Sequence, residues 1–165
     1  MLNKLEQIRK SRKSGEAGFT IIEVMIVLAI AGLILLIVLL AIPALQRNSR
    51  NTAIKNDVSA VSAAISEFKS NNDGVIPGQA SVSGGTVTVR GPASNPGTEA
   101  VGKVQSGTAV TTGTAPGSNP GTIQVIYGSK CAAADGFTVN TSVRSTAILY
   151  NIETSSGVAP RCLDA

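Results

Sequence analysis

The chain has 165 residues, a formal net charge of +4 and no histidine, which is enough for one long helix and one modest globular domain. Because histidine is the commonest general base and metal ligand, we expect no enzyme, no metal site and no other cofactor. Only five aromatic residues occur, so platforms for base stacking are few and nucleic acid is not expected as a main partner.

The first 18 residues form a short basic segment that ends in two small residues, Ala17-Gly18. The segment carries five basic and two acidic side chains, whereas residues 19–165 carry nine basic and eight acidic ones. The net charge therefore comes mostly from this segment. Its composition and its small-residue junction predict that residues 1–18 are a leader that is removed.

One carboxylate, Glu23, interrupts a stretch that is otherwise uncharged from Ala17 to Gln46. A charged side chain at membrane depth costs roughly 2.5–3.5 kcal/mol on insertion scales, so such a residue usually has a partner or a function. The alternative is an interfacial carboxylate beside the lipid headgroups, which an ordinary single-pass protein could carry. Glu23 is therefore the first candidate functional residue.

The heptapeptide Gly18-Phe19-Thr20-Ile21-Ile22-Glu23-Val24 resembles the processing motif of type IV pilins. The shared features are a basic leader, a Gly before an aromatic residue, a Glu four residues on and a long apolar helix. The resemblance implies that a prepilin peptidase cuts between Gly18 and Phe19 and methylates the new amino group. It also implies that Glu23 of an incoming subunit attracts the Phe19 amino group of a neighbour, which sets the axial register of a filament.

Residues 19–45 are predicted to form a hydrophobic helix that spans the membrane and later forms the filament core. The uncharged residues 24–45 reach roughly 30 Å at 1.5 Å per residue, the thickness of a bilayer's hydrocarbon. Gly32 and Pro43 both weaken this helix. Either the span is kinked or, as the resemblance implies, the stretch between them melts on assembly. Leu40 stands where the family usually has its Pro.

The helix is predicted to continue as an amphipathic segment over residues 46–73. Polar residues such as Asp57 and Glu67 are expected on its solvated face, and Asn71-Asn72-Asp73-Gly74 predicts its end. Apolar residues that recur at steps of four and three form a single stripe along this segment. The stripe consists of Ile54, Val58, Val61, Ile65 and Phe68.

Residues 74–165 are predicted to form a globular, β-rich head domain. Loops and short strands are expected in the Gly- and Ser-rich residues 78–121, including a strand at 86–89, with disorder as the alternative. Further strands are predicted at 123–127, 137–139 and 147–152. Their antiparallel sheet is the available partner for the helix stripe, so the predicted fold class is α+β.

Two short motifs occur in the head domain. The pentapeptide Ser-Asn-Pro-Gly-Thr is found at residues 94–98 and again at 118–122, which predicts two Pro-Gly turns and leaves a duplicated hairpin open. The triplet at residues 140–142 matches an N-glycan acceptor, a match that is common by chance and predicts only a surface loop. Asp73 and Asp135 are expected in turns.

The two cysteines, Cys131 and Cys162, enclose 30 residues. This spacing fits neither a metal knuckle nor a redox CxxC motif. The basic leader and the positive-inside rule predict that the head domain lies outside the membrane, where the compartment can be oxidising. A disulfide that closes the C-terminal region is therefore predicted, and two buried free thiols are the alternative.

These features predict a structural pilin that polymerises into a type IV pilus supporting adhesion or twitching motility. A minor pilin, a type II secretion pseudopilin and a membrane-tethered binding module or enzyme are the alternatives. The resemblance implies as partners other copies in a helical filament, a prepilin peptidase, an assembly platform and a cytoplasmic motor ATPase. The expected location is the inner membrane as a single-pass protein before assembly, and then the extracellular pilus.

Overall fold

The computed structural model describes residues 18–105, 108–113, 121–132 and 139–165. It divides into two compact units, Met1–Pro43 and Ala44–Ala165. The described residues form one helix and seven strands, and the predicted α+β class is confirmed. These elements are α1 (Ile21–Asn71), β1 (Gln79–Ser83), β2 (Thr86–Arg90), β3 (Ala100–Lys103), β4 (Ala109–Thr112), β5 (Thr122–Cys131), β6 (Val139–Thr154) and β7 (Gly157–Asp164).

The first unit contains the apolar part of α1. Apart from Glu23, the side chains of this part are apolar on every face, as expected of a helix that meets hydrocarbon and not one side of a core. Among the described residues, α1 is the one helix long and apolar enough to cross a membrane, by length and composition, with a mean hydropathy of 3.4 in its most apolar window. Residues 21–45 of the predicted hydrophobic segment therefore lie within α1, whereas Phe19 and Thr20 precede it.

The second unit begins with the amphipathic part of α1, and the predicted apolar stripe is confirmed. All five stripe residues are buried, and Phe68 has no exposed surface. The helix ends at Asn71, where Asp73 takes a positive φ of 52° and the Gly74 amide donates to the Lys69 carbonyl at 2.7 Å. The predicted stop and the predicted turn at Asp73 are both confirmed.

Two sheets contribute to this unit. The first is antiparallel with strand order β1-β2-β3, and the second has the order β4-β5-β6-β7 with β4 parallel to β5 and the other pairs antiparallel. Val87 and Val89 of β2 point into the core, which confirms the strand predicted at 86–89. A Cβ on Gly102 of β3 would lie 2.9 Å from the Ala60 carbonyl oxygen, so glycine here lets the sheet approach the helix closely.

Not every strand prediction is confirmed. The segments 123–127 and 147–152 lie in β5 and β6, which confirms these two strands, whereas residues 137–138 of the third predicted strand lie outside the described residues and its last residue, Val139, belongs to β6. β1, β3 and β4 lie within residues 78–121, where short strands were expected without assigned positions, and β7 was not predicted. The first three are short and rich in small or polar residues, and β7 contains Pro160, which an edge strand tolerates because its outer amides need no partner.

The two copies of the pentapeptide do not form a duplicated hairpin. The first copy connects the antiparallel strands β2 and β3, whereas the second precedes β5, which runs parallel to β4. Gly97 has a φ of 62°, but the hydrogen-bonded turn of this connection lies earlier, at residues 93–94, where the Asn95 amide donates to the Pro92 carbonyl at 2.8 Å. The glycan triplet lies on β6, with Asn140 exposed, so its surface position is confirmed and its predicted loop is wrong. Asp135 and residues 114–120 lie outside the described residues.

The prediction that Asp57 faces solvent is wrong. The residue is 4% exposed, and its carboxylate accepts hydrogen bonds from the Gln105 amide at 2.9 Å and from the Thr108 hydroxyl. The connection between β3 and β4 covers this side of the helix, which the helical periodicity alone could not reveal. Glu67 is exposed, as predicted. Asp57 thus fastens the connection between the two sheets to the helix.

Replacing Asp57 with Asn is expected to destabilise the second unit by about 1–3 kcal/mol, because the new amide nitrogen cannot accept the hydrogen bond that one carboxylate oxygen receives. Urea unfolding of the purified chain in detergent, followed by circular dichroism, measures the change. Glu67→Gln is the matched control on an exposed site, with an expected change within about 0.5 kcal/mol. Equal stabilities for the two variants would contradict the proposed fastening role.

Candidate functional site

The start of α1 is fixed by Thr20. The Glu23 amide donates to the Thr20 hydroxyl oxygen at 3.3 Å and to the Thr20 carbonyl at 3.1 Å, which satisfies a donor that the first helical turn leaves free. Thr20 and Glu23 have the spacing of a capping box, a local sequence signal that by itself locates this helix start. The helix therefore begins at Ile21, and Gly18 and Phe19 lie outside it.

Gly18 and Phe19 are accessible. Both are exposed and outside regular secondary structure, and a Cβ placed on Gly18 would meet nothing within 4 Å. An enzyme that cleaves between them needs an accessible, non-helical backbone, and this junction supplies it. Residues 1–17, the rest of the predicted leader, lie outside the described residues.

Phe19 and Glu23 lie on the same side of the helix start. Together with Val24, Val27 and Leu28 they line one shallow groove of about 150 Å³. The Glu23 side chain is exposed, and the ion pairs found within the described ranges do not include it. The structure therefore places a carboxylate without a counter-ion one helical turn from the residue whose amino group cleavage would free.

Residues 19–45 present an apolar surface that no other described residue covers. Every large apolar side chain in this segment is between 41% and 81% exposed. Soluble monomers rarely expose contiguous apolar patches larger than a few hundred Å². The segment therefore needs an apolar environment, which lipid or other copies of the helix can provide.

Gly32 and Pro43, the two predicted helix-weakening residues, both lie inside α1. A Cβ on Gly32 would meet nothing within 4 Å, so no contact with another described residue requires glycine there. Pro43 has no amide proton, which leaves the carbonyl of Leu39 without its helical partner. The kinked span and the melting of the stretch between Gly32 and Pro43 both stay predictions, because loss of helicity is a property of the assembled filament.

A cluster of polar contacts, which the sequence analysis did not predict, fastens the end of β6 to α1. Arg50 donates two hydrogen bonds to the Glu153 carboxylate at 2.8 and 2.6 Å, and these lower the pKa of that carboxyl. The Asn51 side-chain amide donates to the Glu153 carbonyl and accepts from its amide, both at 2.7 Å. Arg47 donates to the Thr154 carbonyl at 3.5 Å. We call this cluster the helix clamp.

Cys131 and Cys162 form a disulfide, as predicted. The bond joins the end of β5 to β7 and closes the C-terminal region. The part of the chain that the structure describes contains no group of three or more His, Cys, Asp or Glu residues that could hold a metal ion.

Comparison with known proteins bears on this same segment. Residues 13–39 match the family model described as the prokaryotic N-terminal methylation motif. No curated protein and no solved structure matches the chain significantly. The matched residues include the Gly18–Phe19 junction, Glu23 and the first turns of α1. With this motif at the start of a long apolar helix, the chain fits a type IV pilin-like prepilin.

Proposed function

We propose that the chain is a structural subunit that polymerises through its apolar helix into an extracellular type IV pilus. The observation that carries this proposal is the exposed apolar surface of residues 19–45, most of which lies within the methylation motif matched at residues 13–39. A spanning helix alone would serve as an anchor. Cleavage before Phe19 keeps the helix in the mature protein and gives it a new charged end beside Glu23, which an anchor does not need.

The proposed assembly contact is electrostatic. After cleavage, Phe19 carries a methylated α-ammonium group, and in a filament this group pairs with Glu23 of a neighbouring subunit. Each charge is costly alone in a bundle of low dielectric constant and tolerable when paired, so the pair selects one axial stagger. The contact would therefore supply specificity of register more than stability, while the apolar side chains supply lateral packing.

The proposal also defines partners and location. A prepilin peptidase cuts and methylates the chain, and the inner membrane holds processed subunits until assembly. Drawing a helix out of lipid requires work, and the sequence contains no nucleotide-binding loop. We therefore assign that work to an assembly platform and a cytoplasmic motor ATPase. The finished filament lies on the cell surface, where it would support adhesion or twitching motility.

A minor pilin and a type II secretion pseudopilin are the second candidates, because both share the N-terminal motif. The disulfide-closed C-terminal region favours a pilin over a pseudopilin. A membrane-tethered binding module or enzyme differs from all three, since it would keep residues 1–18 and stay monomeric. Processing of the leader is therefore the property that separates these classes.

The deciding experiment is intact mass measurement and N-terminal sequencing of protein sheared from the surface of its native cells. The expected chain begins at a methylated Phe19 and lacks two hydrogens at the paired cysteines. This result would establish processing, an oxidising compartment and export together. A chain that still begins at Met1 and occurs only in membranes would overturn the pilin proposal in favour of a tethered domain.

Gly18→Val is expected to leave the leader attached. The added side chain displaces the bond to be cut, and a misplacement of about 1 Å can cost an enzyme about a hundredfold in rate. Immunoblotting of whole cells measures the ratio of uncut to cut protein. Gly15→Ala, within the leader, is the matched control and should be processed normally. Normal processing of Gly18→Val would show that cleavage does not depend on Gly18 and occurs elsewhere.

A further inference from the structure

A second, smaller apolar cluster lies on the face of the β4–β7 sheet that points away from α1. Val125 and Ile148, which are paired across β5 and β6, belong to the main core beneath the helix. The next pair, Ile126 and Ala147, must point to the opposite face, because side chains alternate along a strand. Ile126, Ala147, Leu149 and Cys162 are buried together there, and we call them the back cluster.

The ends of β5 and β6 cover the back cluster by folding back over the sheet. Gln124 pairs with Leu149, which pairs with Cys162, so Gln124 and Cys162 lie two strand spacings apart, about 10 Å. If β5 were straight, Cys131 would lie about 23 Å from Gln124 along the strand. Instead, the Cα atoms of Cys131 and Cys162 are 5.8 Å apart. The direction of the strand must therefore reverse.

The reversal occurs at a large bulge. Tyr127 pairs with Thr146 and Ser129 pairs with Thr141, so Gly128 alone stands opposite residues 142–145. Gly128 has a φ of 66°, a conformation that residues with a Cβ rarely adopt. On the other strand the Ser142 hydroxyl donates to that of Ser145 at 3.1 Å. Gly128 and residues 142–145 therefore act as the bend.

Two bonds hold the folded-back ends in place. One is the disulfide from Cys131 to Cys162, and the other is a hydrogen bond from the Cys131 amide to the Asp164 carboxylate at 2.6 Å. Both connect Cys131 to β7. Cys131 and Val139 also pack against the back cluster. The covalent bond is thus the strongest link between the folded-back ends and the sheet beneath them.

We propose that the folded-back ends, Ser129–Cys131 and Val139–Thr141, form a disulfide-latched flap over the back cluster. Reduction by a dithiol would open it: each cysteine sulfur gains one electron and one proton, and the dithiol becomes a cyclic disulfide. The flap then swings at Gly128 and exposes Ile126, Ala147 and Leu149, while the core beneath α1 stays folded. This device does not depend on filament formation, because every residue in it belongs to the second unit.

Amide hydrogen exchange of the full chain in detergent, with and without dithiothreitol, tests the flap. We expect reduction to speed exchange in both strands of the flap at least about tenfold, while exchange in the buried part of α1 changes less than about threefold. Iodoacetamide should then label Cys162, which is only 8% exposed in the closed state. Unchanged exchange in the flap, or an equal rise throughout the second unit, would overturn the proposal.

Variants at the bend give an independent test in the oxidised protein. Gly128→Val places a β-branched residue at a positive φ and should speed exchange in the flap about tenfold even with the disulfide intact. Gly128→Asn is the matched control, because Asn tolerates a positive φ. If the two variants exchange at equal rates, Gly128 is not the bend on which the flap depends, and the proposed device is wrong.

Discussion

Replacing Glu23 with Gln should abolish most filament assembly while leaving membrane insertion and processing intact. Removing one partner of a buried ion pair costs about 3–5 kcal/mol, which is more than a hundredfold in an association constant. Glu23 has no ion pair within the described residues, so the substitution removes no charge partner that the single chain needs. The expected loss therefore falls on contacts between subunits.

Gln is the better substitution because Glu23 also stands at the third position of the helix, where the capping box accepts either Glu or Gln. Glu23→Gln therefore keeps the helix start and removes only the charge, whereas Glu23→Ala changes both. Immunoblots of sheared filaments and of membranes give the assembled fraction for each variant. Glu67→Gln, on an exposed site in the same helix, controls for loss of a carboxylate. Abundant normal filaments from Glu23→Gln would refute the register role.

Phe68→Ala is expected to produce the largest loss of stability in the second unit. The ring has no exposed surface and belongs to the main core, which α1 and the sheets share. Truncating a buried Phe typically costs about 3–5 kcal/mol, because apolar contacts are lost and a cavity remains. Total stabilities are about 5–15 kcal/mol, so a large part of the unit's stability depends on this one side chain.

Urea unfolding of the purified chain in detergent measures the effect of Phe68→Ala. Phe68→Leu should lose less, because Leu fills part of the space. Val143→Ala is the surface control, since Val143 is 84% exposed, and its effect should stay within about 0.5 kcal/mol. A loss below about 1 kcal/mol for Phe68→Ala would mean that the core collapses around the truncated side chain or that the packing differs from that described.

The helix was predictable because its signals are local. The apolar stripe repeats with the helical period, so each of its residues could be assigned to the core before any partner was known. Asp57 shows the limit of such periodicity, because the connection that covers it comes from a distant part of the chain. The short strands β1, β3 and β4, rich in small and polar residues, could not be placed for a similar reason: their pairing, not their composition, makes them strands.

Some parts of the candidate site could be predicted from the sequence, and others could not. The residues around Gly18 and Glu23 form a motif that is recognised by the spacing of its residues, and the family comparison covers that segment. The disulfide required only that two cysteines lie in one oxidising compartment. The bend at Gly128 could not be predicted, because it depends on the register of β5 against β6, which the sequence does not reveal. The helix clamp depends equally on where β6 ends.

Within the helix clamp, the two main contacts tolerate sequence change differently. Arg50 binds the Glu153 carboxylate, so that contact depends on the side chain at position 153. Asn51 binds only the backbone amide and carbonyl of the same residue, which any amino acid except proline would offer. Position 153 can therefore vary widely during evolution while the contact between Asn51 and the backbone of residue 153 survives. Position 51 cannot, because few other side chains present a donor and an acceptor side by side.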